Sequence, residues 1–192
     1  KDNTWLWYIR NADNSMQLSL YNQILNQQIL HEFYFSTNEW YNVAISIDEN
    51  NNVNQYVNGE ILPLFETIWN TGIDGINLEN NESIRIGMWE IDDEILDGSL
   101  DNVQIWNSEL TQEELIEYIN CPPTGNEEGL VGYWNFEEGP SEGQVLDLSP
   151  NGNNGTISNA SYSDDVPEQN CSSSCYAEEI DGFTYLGFYG GS

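Results

Sequence analysis

The sequence predicts an all-β fold: an antiparallel β-sandwich of jelly-roll type with one short helix. Short apolar or alternating runs recur along the 192 residues, Asn, Asp and Gly clusters punctuate them, and one stretch alone carries a strong helix-start signal. In chain order the runs are "TWLWYI", "MQLSLY", "HEFYF", "YNVAISID", "NQYVNGEIL", "SIRIGMW" and "DNVQIW". In the fourth, Val43, Ile45 and Ile47 fall on one face by the two-residue period of a strand. Asn58-Gly59 is a turn pair able to adopt positive φ. The helix signal lies in "LTQEELIEYI", where Thr111 can cap the first turn and Glu114 can reach back to it. Leu115, Ile116 and Ile119 then form an apolar stripe that should lie against the sandwich.

Charge narrows the function classes. Asp and Glu total 33 against 3 Lys and Arg, a formal charge of −30. Such a surface repels nucleic acid and anionic membrane, and it suits divalent cations and a salty medium. Seven Trp and eleven Tyr argue for a packed core rather than a disordered acidic chain. No apolar run approaches the roughly 18 residues of a membrane span. The first residues already have strand character, so the chain is expected to be cut from something longer. His31 is the only histidine, which argues against a zinc site or a Ser-His-Asp site; a polar residue on a strand is its simpler role. The cysteines are Cys121, Cys171 and Cys175, and an odd count leaves one free or paired elsewhere.

Three stretches carry a family resemblance. "EWYNVAISIDENNNVNQYVNGEIL" resembles the central hairpin of the laminin G-like, or concanavalin A-like, jelly rolls. "IRIGMW…LDGSLDNVQIWNSELTQEEL" resembles the family's following strands and short helix. A third, "GLVGYWNFEEG…VLDLSPNGNNGTISNASYSDDVPEQNC", resembles its opening strands, yet here it follows the helix. That order suggests a circularly permuted jelly roll over residues 1–171, with front strands missing and residues 129–171 returning to complete it. Residues 172–192 are then a linker and the start of a following domain, with a short, weak resemblance to the first strand of C-type lectin-like domains.

A second resemblance points to catalysis. "MWEIDDEIL" resembles the Glu-x-Asp-x-Glu signature of family 16 glycoside hydrolases, which would make Glu90, Asp92 and Glu94 the nucleophile, tuning and acid/base groups. Chain order opposes it. In those hydrolases the acidic strand precedes the Tyr-Val-Asp-Gly hairpin, whereas here it follows "YVNG", and Asp93 stands where an apolar residue is wanted. In so acidic a chain a short match also arises by chance.

The expected function is therefore a non-catalytic, extracellular adhesion or carbohydrate-binding module, with a structural spacer as the alternative. Expected partners are a glycan or cell-surface ligand and neighbouring domains of the same chain, with no nucleic acid and no membrane insertion. Trp89 and Trp69, in loop-like stretches, are the candidate sugar platforms. Cys121 and Cys171 bracket the returning segment, and a bridge between them would stabilise by about 4 kcal/mol. Cys171 with Cys175 is the competing pairing. A disulfide places the chain outside the cytoplasm. Asn81, Asn154 and Asn159 begin glycosylation sequons. Last, the resemblance implies a structural calcium ion. Asp147, Asn151, Asn153 and Asn154 of "LDLSPNGNNGT" supply oxygens, and Asp101, sharing a strand face with Val103 and Ile105, points inward as the second contributor.

Overall fold

The computed structural model describes residues 5–12, 15–22, 27–33, 35–50, 52–63, 66–68, 83–88, 96–139, 143–171, 176–180 and 183–187. The described strands are β1 (Trp5–Ala12), β2 (Ser15–Asn22), β3 (Gln27–Phe33), β4 (Val43–Ile47), β5 (Val53–Val57), β6 (Glu60–Ile61) and β7 (Glu66–Ile68). β8 (Val103–Trp106), α1 (Gln112–Asn120), β9 (Leu130–Trp134), β10 (Gln144–Val145), β11 (Gly155–Thr156), β12 (Tyr176–Ile180) and β13 (Phe183–Gly187) follow. All pairings are antiparallel, in sheets of order β1-β2-β3-β7, β4-β5-β6, β8-β9, β10-β11 and β12-β13. His31 lies in β3 opposite Leu18, a strand position as expected.

The central hairpin forms where the turn chemistry demands it. Asn58 and Gly59 take φ of 51° and 79°, and Val57 pairs with Glu60 around them. Positive φ at both central residues matches the strand twist. A core gathers beneath this hairpin, with Val57 and Leu62 buried and Phe33, Phe35, Tyr41 and Val43 packed against them. The three rings meet edge to face at centroid distances of 4.8 to 5.8 Å.

The helix forms as its cap predicts. Glu114 N donates to Thr111 Oγ1 at 3.2 Å and Thr111 N to Glu114 Oε2 at 2.7 Å, closing the capping box. The helix rests on the hairpin turn: Gln112 Nε2 donates to Gly59 O at 2.8 Å, and Ile116 and Ile119 crowd the space a Cβ on Gly59 would take. The apolar stripe is shallower than expected, with Leu115 and Ile119 half-buried and Ile116 41% exposed.

Two expectations change. Over residues 83–88 no strand forms; only Met88 makes an isolated bridge. Gly87 sits at φ 80° and breaks the alternation, leaving Ile84 and Ile86 exposed. The strand after Asp101 also starts later than expected. Asn102 has φ 50°, so the alternation that aligned Asp101 with Val103 and Ile105 does not run through it. Residues beyond the helix pair with the strand before it: β9 and β8 form a two-stranded sheet, Val103 facing Trp134 and Ile105 facing Gly132.

Candidate functional site

The functional candidates gather around β9 and the elements it touches. β9 buries Leu130, Tyr133 and Trp134 on an apolar run that needs no polar face. Trp134 Nε1 donates to Asn153 O at 3.0 Å, which draws the Asn-Gly loop onto the strand. Asp147 is the centre of that loop. Its Oδ1 accepts from Tyr133 N and Ser149 N, both at 2.9 Å, and its Oδ2 from Ser149 Oγ at 2.9 Å and Asn153 N at 2.7 Å. Burial acts to raise the Asp147 pKa, but these donors outweigh it and hold the carboxyl below its ordinary value.

The remaining loop residues are committed in the same way. Asn154 Oδ1 accepts from Asp147 N at 3.0 Å. Asn151 and Asn153 turn their amide nitrogens, not their oxygens, toward Val131 O at 3.0 and 3.1 Å. In this arrangement the expected calcium residues Asp147, Asn151 and Asn154 are engaged mainly with the loop's own amides and with Val131 O. The Asp147 carboxylate and Asn154 Oδ1 already accept from neighbouring donors, and Asn151 is held through its amide nitrogen. Among the described residues no group of three or more His, Cys, Asp or Glu side chains gathers as a metal site.

Asp101 has a different environment. It is half-buried, and its Oδ2 accepts from Asn102 Nδ2 at 2.8 Å. Burial raises its pKa first, a hydrogen bond from the Asn102 backbone opposes that, and the nearby charge of Glu137 adds to the rise. Asn102 Oδ1 in turn accepts from Tyr133 Oη at 2.9 Å, and burial together with Asp101, Glu127 and Glu137 pushes the Tyr133 hydroxyl up to about 12. Two residues beside this cluster, Asn102 and Phe136, are non-glycine residues at positive φ, 50° and 57°. Backbone held in that region concentrates at functional sites.

An open cavity of about 530 Å³ lies between the end of β8, the residues leading into β9 and α1. Trp106 and Tyr118 stack within it at a centroid distance of 5.0 Å and an interplanar angle of 29°. The sequence gives little warning of this pair, because one ring ends a strand and the other belongs to a helix turn whose apolar stripe excludes it.

Cys121 and Cys171 form a disulfide with Cα atoms 4.5 Å apart across a sequence separation of 50. Asn170 N donates to Asn120 O at 2.9 Å beside it, so the segment ends where it began. Trp69, Trp89, Glu90, Asp92, Glu94, Asn81 and Cys175 lie outside the described residues. Asn154 and Asn159 are exposed. No helix among the described residues is long and apolar enough to cross a membrane.

A family model described as concanavalin A-like lectin/glucanases superfamily, of laminin G type, matches residues 1–116. No match was found among curated proteins or among solved structures.

Proposed function

Because the chain belongs to the concanavalin A-like lectin/glucanases superfamily, we propose that it is a non-catalytic carbohydrate-binding and adhesion module of an extracellular protein. The observation that carries this reading is the family match over the hairpin, β8 and the start of α1, in which the acidic stretch follows the hairpin rather than preceding it. The disulfide supports an oxidising compartment. A glycan array with the intact domain tests the proposal. Retention of a defined class of glycan supports it, and a uniformly blank array favours the spacer reading. Hydrolysis of laminarin, agarose or xylan that disappears in Glu90→Gln would replace both with a glycosidase.

The spacer reading has its own support. The disulfide and the Asp147 loop brace the segment from both ends, as a load-carrying domain needs. The β8-β9 pairing supports the proposal that residues 129–171 complete a permuted jelly roll. Calcium, which the family implies, is proposed at Asp101. That carboxylate accepts from Asn102 alone among the described residues, Glu137 adds a second negative charge nearby, and a cation would relieve both. The extreme acidity supplies a further electrostatic reason for a divalent cation to bind.

A further inference from the structure

We infer that the cavity between β8, the start of β9 and α1 receives an amine-bearing sugar unit, such as a glucosamine residue of a glycan. The inference rests on the carbohydrate-binding reading and names the class of glycan. The cavity's volume, about 530 Å³, is in the range of small-ligand pockets and matches one or two sugar rings. Its floor is prepared by the fold. A register shift between Ile105 and Trp106 skips Val131, so that Trp106 pairs with Leu130 at the start of β9, and Trp106 Nε1 donates to Gln104 Oε1 at 3.2 Å, which fixes the ring. Tyr118 stacks on it from the helix, and both rings are half-buried, so each keeps open surface. Aromatic faces of this kind take the C–H face of a sugar or an organic cation.

The rim decides which sugar. Asn107 and Ser108 expose an amide and a hydroxyl, and Asn107 N donates to Gly129 O at 2.8 Å, which holds this loop against β9. Glu114 is committed to the helix cap. Glu109 and Glu128 are exposed at the cavity and make no hydrogen bond or ion pair among the described residues. Among the described residues the lining contains carboxylates and no cation. Burial first, then the charges of Glu127, Glu117 and Glu114, raise the Tyr118 pKa, so other carboxylates also lie near this helix face. A uronate or sulfated sugar would be repelled there. A neutral sugar would gain the stacking and leave Glu109 and Glu128 in water. An ammonium group on the sugar adds charge-assisted hydrogen bonds to the stacking. A lysine side chain offers the charge but fills only a small part of the space.

The test is calorimetric titration of the intact domain at physiological salt with four oligomers of equal length: glucosamine, N-acetylglucosamine, a uronate and lysine. The glucosamine oligomer should bind most tightly. The double variant Glu109→Gln/Glu128→Gln should bind it about tenfold more weakly, the scale of one charge-assisted contact. Glu49→Gln/Glu168→Gln removes the same charge from other exposed positions and should leave it unchanged. Equal affinity for the N-acetylated oligomer, equal affinity for the lysine oligomer, or equal weakening by both double variants would overturn the inference. If an array finds other glycans and their binding ignores the Glu109/Glu128 pair, this inference fails and the carbohydrate-binding reading stands. If no glycan binds at all, both fail.

Discussion

Asp147 and Asp101 flank the same strand pair and do opposite things. Asp147 is buried and accepts four hydrogen bonds, three of them from backbone amides. Asp101 is half-buried, has Asn102 as its neighbour and faces the charge of Glu137. One carboxylate is a saturated hub, and its pKa falls; the other is an under-compensated charge, and its pKa rises. The difference shows that residue type alone does not set how an acidic side chain is compensated. The donors around it decide. At Asp147 three backbone amides converge on the carboxylate and tie the loop to β9.

Cutting the covalent closure of the Asp147 segment, by Cys121→Ser with Cys171→Ser, should cost about 4 kcal/mol in denaturant unfolding, the chain-entropy value for a loop this long. Reducing agent should lower the wild type to the same level and leave the variant alone. Asp147→Ala strands Tyr133 N, Ser149 N and Asn153 N together and should cost on the order of 3 kcal/mol. A loss under 1 kcal/mol would mean water replaces the hub and the contrast with Asp101 is empty.

Acid separates the two residues by sign. Asp147 is held below the ordinary carboxylate value, so its contribution is complete above about pH 4 and disappears as the pH falls through its lower folded value. Asp101 is held above that value, so its charge weakens the fold at neutral pH, and protonation relieves this as the pH falls from the raised value toward about 4. In melts from pH 2 to 7, taken without calcium, the gap between wild type and Asp147→Asn should close only at the acid end. The smaller gap between wild type and Asp101→Asn should have the opposite sign at neutral pH. Asp101→Asn should there be neutral or stabilising, by about half a kcal/mol or less.

Much of this was legible in the sequence, and the reasons are local. Asn58-Gly59 and the Thr111–Glu114 box specify their own geometry within a few residues, and both form as expected. The all-β class and the family were legible because strand alternation and turn chemistry repeat along the chain. What was not legible depends on single backbone choices or on distant partners. Asn102 and Gly87 take positive φ and interrupt two alternating runs, and alternation alone contains no sign of that. The role of Asp147 depends on Tyr133 and on the loop's amides converging, and the sequence lists the donors without showing that they point at one carboxylate. The stack of Trp106 on Tyr118 needs the helix to return across the end of β8.

The most direct test of this division of labour is a set of thermal melts in calcium and in excess chelator on wild type, Asp101→Asn and Asp147→Asn. Calcium should raise the midpoint of the wild type and, by a similar increment, that of the destabilised Asp147→Asn, while Asp101→Asn should show no response. A wild type indifferent to chelator, or a calcium response that survives Asp101→Asn and vanishes in Asp147→Asn, would contradict it.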